Sequence, residues 1–237
     1  MEFDLRPARD LGLSPLDRLR SQGREGGLGS LVVSGAWRRM LRLYLRAAHG
    51  LRVTGRENLP AAPPYLLIAN HASHLDAMTL SAVLRGEAAR RGFALAAGDY
   101  FFGSAASSAF AAYAVGALPV WRRRTSRKDL GTLRERLSED RLVFILFPEG
   151  TRSRDGTMSA FQPGLGALVA GTDIPVVPCH LEGAHAAWPP DRRWPRPAPL
   201  HLRIGAPLTF PELPNNRAGW DAVAAASEAA VRALAPG

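Results

Sequence analysis

Two continuous apolar runs of strand length organise the chain. Tyr65-Leu66-Leu67-Ile68-Ala69 and Leu142-Val143-Phe144-Ile145-Leu146-Phe147 show no polar alternation, the pattern of strands buried on both faces of a parallel sheet. Shorter runs near residues 51–54, 93–97, 118–121, 174–178 and 200–204 read as further strands. Helical spacing falls between most of them. Met78, Leu80 and Val83 follow the first run, Leu130, Leu133 and Leu137 precede the second, and Trp220, Val223, Ala230, Val231 and Leu234 form one face near the end. This alternation predicts an α/β layer structure with a largely parallel central sheet flanked by helices.

The segment ahead of these strands has a different pattern. Between Trp37 and Ala48, Arg38, Arg39, Arg42 and Arg46 fall within roughly 100° of a helical wheel, and Trp37, Met40, Leu41, Leu43, Tyr44 and Leu45 occupy the remainder. A basic amphipathic helix over residues 31–50 follows. Its pattern suits two placements: in the headgroup region of an anionic membrane, or packed on the domain with its arginines in water. Residues 1–30, interrupted throughout by Asp, Arg, Glu, Gly and Pro, predict a flexible arm without the basic-then-apolar signature of a signal peptide. The uncharged stretch 100–121 is long enough to span a bilayer. Its serines, glycines and Pro119 instead predict a buried helix from about Ser104 to Val115, then a short strand. Residues 51–237 are read as one domain, since 237 residues at 46% hydrophobic content bury one sizeable core. Trp188 to Pro199, rich in proline and arginine, reads as a surface loop.

Both long apolar runs end in polar clusters, and the C-terminal ends of strands are where α/β proteins place their chemistry. After the first run comes Asn70-His71-Ala72-Ser73-His74-Leu75-Asp76. A regular helix would hold His71 and Asp76 roughly 140° apart, so the two cannot cooperate inside one. Ser73 and Asp76 fit a capping box, which would place Ser73 at the N-cap and leave His71 outside the helix, free to fold back. A histidine oriented by an aspartate is a general base. No Gly-x-Ser-x-Gly elbow or suitable cysteine accompanies it, so the nucleophile belongs to the substrate. In the plainer alternative Asp76 only caps a helix and His71 is a loop histidine.

After the second run comes Pro148-Glu149-Gly150-Thr151-Arg152-Ser153. Gly150 permits close backbone approach, Thr151 supplies a hydroxyl, Arg152 a fork suited to phosphate, and Glu149 a carboxylate placed to hold that arginine. A proline-glycine turn with a surface ion pair is the plainer alternative.

Together these blocks resemble the glycerolipid acyltransferase family, the lysophosphatidate acyltransferase-like enzymes, whose first motif is Asn-His-x-Ser-x-x-Asp and whose third is Phe-Pro-Glu-Gly-Thr-Arg-Ser. Gly116-Ala117-Leu118-Pro119-Val120-Trp121-Arg122 resembles the second motif and Ile174-Pro175-Val176-Val177-Pro178 the fourth, in the same order. The resemblance runs from about Leu51 to about Leu208. It implies that His71 takes the proton of an acceptor hydroxyl as that hydroxyl attacks a thioester, with Asp76 fixing the imidazole. It also implies that Arg122, Glu149, Gly150, Thr151 and Arg152 bind the acceptor phosphate. The implied partners are acyl-CoA or acyl carrier protein as co-substrate, a lysophospholipid acceptor and an anionic membrane surface, with no other cofactor. The implied location is cytoplasmic, peripheral on the inner face of the membrane. Two positions where many members carry lysine read Ala97 and Gln162, which keeps a non-glycerolipid or glycolipid acceptor open. A non-catalytic, basic lipid-binding protein is the alternative of a different class.

The net charge of +9, from 30 basic and 21 acidic residues, points to an anionic partner. The arginines follow an amphipathic stripe and a turn, without a nucleic-acid recognition motif, so membrane is favoured and nucleic acid is not expected. Cys179, the single cysteine, ends an apolar strand and reads as packing. No spaced cysteine and histidine array suggests a metal site, and His74 is expected to face solvent or the cleft entrance.

Overall fold

A computed structural model describes residues 8–25, 27–97, 104, 108–120 and 127–236. In chain order the helices are α1 (Pro15–Leu19), α2 (Leu28–His49), α3 (Asp76–Val83), α4 (Gly86–Arg90), α5 (Arg127–Glu139), α6 (Gly164–Val169), α7 (Ala184–Ala187) and α8 (Arg217–Ala233). The strands are β1 (Arg52–Thr54), β2 (Tyr65–Ala69), β3 (Gly92–Ala97), β4 (Ala117–Val120), β5 (Val143–Leu146), β6 (Thr172–Glu182), β7 (His201–Ile204) and β8 (Leu208–Phe210). Among the described residues they form one sheet in the order β1-β7-β6-β2-β5-β3-β4, with β8 beside β6. The fold class is therefore the expected one, mixed α/β with a mostly parallel central sheet. β7 and β8, both antiparallel to β6, are the exceptions.

β2 is the axis of the sheet. All five of its residues are buried, and it pairs in parallel with β5 on one side and β6 on the other. Burying each Leu or Ile side chain contributes about 1.5–3 kcal/mol, which is why this run tolerates no polar alternation. Strand periodicity sorts the core into two layers. Tyr65, Leu67, Ala69, Val143, Ile145 and Val177 face the cluster that takes in α2, α3 and α4, while Leu66, Ile68, Phe144 and Val176 face that of α5, α6 and α8. Cys179 is fully buried in the first layer and burial pushes its thiol well above the ordinary range, as packing requires.

Three expectations change. The helix after the first motif starts at Asp76 rather than next to Ser73; the Ser73 hydroxyl accepts from Leu75 N–H and donates to the Trp188 carbonyl. The expected flexible arm is, over residues 8–25, docked on the domain. Buried Arg24 donates to the carbonyls of Leu19, Ala112 and Ala117, and Arg9 meets Glu135 at 2.9 Å. Arg136, itself buried, donates back to the carbonyls of Gln22 and Arg24. Charges that interrupt the arm are thus partners for backbone carbonyls. Of the alanine-rich helix, residues 105–107 lie outside the described residues, and Phe110–Val115 is wound as a π-helix, whose altered ladder leaves the Ala112 carbonyl for Arg24. Residues 188–199 form the expected loop.

α2 reconciles its two readings by splitting its apolar arc. Leu41 and Leu45 are buried in the core, and Trp37 packs edge-on to Phe110 with ring centroids 5.2 Å apart. The rest of the arc is uncovered: Val32 is 71%, Met40 50% and Leu43 69% exposed. Arg38 is not in water but buried, bonded to Ser34, and burial lowers its pKa. Among the described residues no helix is long and apolar enough to cross a membrane.

The tightest helix contact in the second layer is at Gly166 of α6, where an added Cβ would lie 2.3 Å from the Cα of Trp220 on α8. Gly166→Ala is expected to lower stability by about 1–3 kcal/mol through overpacking, read as a shift in the urea midpoint with unchanged slope.

Candidate active site

The first and third motifs leave neighbouring strands. β2 crosses to β3 through α3 on one face and β5 crosses to β6 through α6 on the other, so the chain diverges between their C-terminal ends and opens a crevice. Asn70 closes β2 by continuing its ladder with a side chain: its amide donates to the Leu181 carbonyl and its carbonyl accepts from Leu181 N–H.

Beyond Asn70 the loop wraps around one carboxylate. Asp76 Oδ2 accepts three N–H groups at 2.8 Å, from His71 Nδ1 and from the backbone of Ala72 and Ser73. Asp76 is buried at the first turn of α3, where the helix N-terminus favours negative charge. Because the carboxylate is an acceptor, the shared proton sits on His71 Nδ1, and Nε2 on the far side of the ring is the basic nitrogen. The ring is held a second way, stacked on Phe147 at a centroid distance of 4.2 Å and 18° between planes.

Glu149 has a different role from the one its position suggested. It is buried and does not hold Arg152; Oε1 accepts from His71 N–H at 2.7 Å and Oε2 from Ser159 N–H at 2.8 Å. Ser153 N–H donates to the His71 carbonyl at 2.8 Å, so the two motifs are laced together through the backbone of His71. Burial pushes the Glu149 carboxyl upward, opposed by those two amides.

His71, Gly150, Thr151 and Arg152 line one cavity of about 300 Å³, within the range of small-molecule sites. Part of the lining is polar, with His71, His74, Thr151 and Arg152; the rest is largely apolar, with Met78, Leu95, Phe110, Val115 and Leu146. Gly150 has φ +76°, a left-handed conformation that favours glycine and turns the chain into the cavity wall. Arg122 lies outside the described residues, two positions beyond Val120, which lines the cavity. Ala97 ends β3, and Gln162 stands exposed with its N–H on the Pro148 carbonyl beside the Gly150 turn.

Two more residues line the cavity: His74, expected at the cleft entrance or in solvent, and Trp188. His74 lines the cavity, with Arg152 Nη1 2.7 Å from its Nδ1 and 2.8 Å from its Nε2. A guanidinium only donates, so this imidazole accepts and is neutral. Trp188, tilted against His74 at 4.9 Å, lines the cavity beside it and is tethered by its carbonyl to Ser73 and His74. His74 sits within the first motif; the loop bringing Trp188 over it left no local pattern. Among the described residues no cluster of histidine, cysteine, aspartate or glutamate is arranged to hold a metal.

A family model described as Acyltransferase matches residues 50–182. 1-acyl-sn-glycerol-3-phosphate acyltransferase alpha of Homo sapiens is 30% identical over 146 residues, 59% of this chain and 49% of that protein. Its Mus musculus counterpart is 27% identical over 178 residues, 72% of this chain and 60% of that one. The 1-acyl-sn-glycerol-3-phosphate acyltransferase of Limnanthes douglasii is 39% identical over 72 residues, covering 30% of this chain and 26% of the relative. The matched region thus spans between a quarter and about three fifths of these curated relatives. The crystal structure of the 1-acyl-sn-glycerophosphate (LPA) acyltransferase, PlsC, from Thermotoga maritima superposes with a TM-score of 0.67 at 20% identity, over 88% of this chain and 82% of that one, which is a likeness of fold.

The pairing of His74 with Arg152 has a pH signature. Burial first, then the Arg152 charge, lowers the His74 pKa from 6.5. The unfolded chain therefore binds this proton more readily, and stability from this group rises with pH between the lowered value and 6.5 and is flat above. Ring-resolved NMR titration is expected to show the His74 midpoint below 6.5. Arg152→Ala should raise its midpoint only in part, because burial is the larger cause.

Proposed function

Because the chain belongs to the acyltransferase family, we propose that it moves a fatty acyl group from a thioester donor to the hydroxyl of a lysophospholipid, a 1-acylglycerol-3-phosphate-type acceptor, at a membrane surface. The observation that carries this reading is the position of His71: a base oriented by Asp76, at the polar end of an apolar cavity and beside Arg152. The names of the human, mouse and Limnanthes relatives describe the same acceptor.

The geometry supports a direct transfer. The acceptor hydroxyl gives its proton to His71 Nε2 as its oxygen bonds to the thioester carbonyl carbon, forming a tetrahedral intermediate. The imidazolium is stabilised across the Nδ1–Asp76 hydrogen bond. Collapse breaks the carbon–sulfur bond, and the departing thiolate, of coenzyme A or an acyl carrier, takes the proton back from His71. No acyl-enzyme forms, so no protein nucleophile is needed. The apolar end of the cavity, from Met78 to Phe110, accepts acyl chain, and Arg152 with Thr151 meets the acceptor phosphate. Arg122, at the matching place of the second motif, is assigned to the same phosphate. The uncovered arc of α2 supports peripheral docking, proposed here at the cytoplasmic face. Ala97 and Gln162 place no charge near the turn, so the phosphate depends more heavily on Arg152, and a glycolipid hydroxyl is the acceptor to test beside it.

Thiol release from acyl-CoA with a lysolipid panel, the products read by mass spectrometry, tests the reading. His71→Ala is expected to lower turnover by at least about a hundredfold with the fold intact by circular dichroism; near-normal turnover removes the general-base assignment. Arg152→Ala is expected to raise KM for a phosphate-bearing acceptor by about tenfold or more while leaving the acyl-CoA KM within about twofold. An equal loss with a phosphate-free acceptor counts against the contact.

A further inference from the structure

A second cationic pocket lies at the opposite end of α3 from Asp76, roughly a helix length of 12 Å away. Arg42 and Arg46 of α2, Arg56 from the turn after β1, and Arg85 between α3 and α4 surround a cavity of about 200 Å³ floored by Leu51, Val53 and Val83. No acidic side chain lines it. Among the described residues none of the four arginines forms an ion pair with a carboxylate, in contrast to Arg91, Arg203, Arg217 and Arg232 elsewhere on the surface.

The pocket's own hydrogen bonds do not account for this crowding. Arg42 and Arg56 each approach a last carbonyl of α3, on Ala82 and Val83, at 3.5 Å, the outer edge of hydrogen bonding. Each uses one of its five N–H groups that way. Arg56 is penalised by burial and then by the charges of Arg85, Arg46 and Arg42, all pushing its pKa down. Four guanidiniums brought together at a common void, with donors to spare and no counter-charge, are arranged for an oxyanion.

What delivers that anion follows from α2. Its uncovered apolar residues, Val32, Ala36, Met40, Leu43 and Ala47, lie on one stripe, and Arg46 is roughly 60° around the helix from Leu43. With the stripe in the headgroup and acyl boundary, the pocket mouth stands at the level of lipid phosphates. We propose that Arg42, Arg46, Arg56 and Arg85 form a phosphate-binding pocket for the headgroup of an anionic phospholipid, separate from the acceptor site at Arg152. The proposal rests on the membrane-surface reading above and deepens it. The bound lipid pins the C-terminal half of α2 while the Trp37 and Phe110 end stands over the acyl cavity, which sets how the molecule is turned on the surface.

The test is flotation of the full chain with vesicles of phosphatidylcholine alone or mixed with phosphatidylglycerol. The variants are Arg56→Gln/Arg85→Gln, a charge-matched pair Arg39→Gln/Arg90→Gln outside the pocket, and Leu43→Ser on the stripe. The pocket pair is expected to lose about tenfold or more in affinity for the mixed vesicles, at least about threefold beyond the charge-matched pair. Its binding to phosphatidylcholine and its thiol release with detergent-dispersed acceptor should be unchanged. Equal losses in the two pairs, or none in the pocket pair, overturn the pocket while leaving membrane docking in place. Loss of the difference when inorganic phosphate is added at the lipid phosphate concentration assigns the pocket to a soluble phosphate and overturns the lipid assignment. A wild-type chain that floats with neither vesicle, and is indifferent to Leu43→Ser, removes the membrane reading itself.

Discussion

A carboxylate that is 1% exposed is costly to bury unless donors converge on it, and the loop after β2 brings three of them to Asp76 Oδ2. Two of its three donors are consecutive backbone N–H groups, Ala72 and Ser73, which forces the chain to curl over the start of α3 within a few residues of leaving the sheet. The third is His71 Nδ1, so the curl that satisfies the charge also selects the tautomer. The remaining site is hung on this loop: Glu149 on the His71 amide, Ser153 on its carbonyl, and Trp188 on Ser73. Removing the carboxylate would leave two buried amides and an imidazole without an acceptor, at a cost of several times about 1–3 kcal/mol, so Asp76 supports the local fold as well as the chemistry proposed for His71.

Sheet order determines what this loop meets. With β2 between β5 and β6, the first motif emerges beside the third, and their crossovers leave on opposite faces. That divergence gives the cavity its two characters. The lining between the motifs is polar because two strand ends expose backbone and charged turns there. The rest is apolar because it is bounded by β3, α3 and the π-helical segment, which contribute largely apolar side chains. A charged group and an apolar chain can therefore be held in one cavity without a buried unpaired charge.

Local patterns made the central sheet and the His71–Asp76 pair legible. The runs at 65–69 and 142–147 could not be amphipathic surface strands, and six of the seven predicted strand starts fall within a residue of those observed. β6 was read short because Asp173 and Pro175 interrupt its apolar pattern at the N-terminal end, while Glu182 closes it beyond the expected limit. β8 is a three-residue edge strand with too little pattern to find. In the site, spacing showed that His71 and Asp76 needed a turn between them, and the structure supplies it. Glu149 was misassigned for a physical reason: sequence neighbours suggested an ion pair with Arg152, whereas its acceptors are used by amides from residues 71 and 159 that only the fold brings near. The Arg152–His74 contact joins residues 78 positions apart, and the docking of Arg9 and Arg24 depends on carbonyls of distant elements. Such pairings carry no periodicity, so they become visible only after folding.

α2 sits where these two parts of the molecule meet. Its buried side contributes Leu41, Leu45 and Trp37 to the core, and Trp37 braces Phe110, which is itself part of the cavity wall. Its opposite side leaves several apolar side chains in contact with water, at a cost of about 25 cal/mol per Å² for whatever apolar area a partner surface would cover. A helix retained only for packing would be polar on that side. One helix thickness therefore separates an apolar surface in need of cover from an apolar cavity in need of a chain, and on the proposed reading both needs are met by the same lipid phase. An acyl chain approaching past Phe110 then passes from membrane to cavity with little exposure to water, and the polar reaction takes place at the far end, where His71 and Arg152 are held by the sheet.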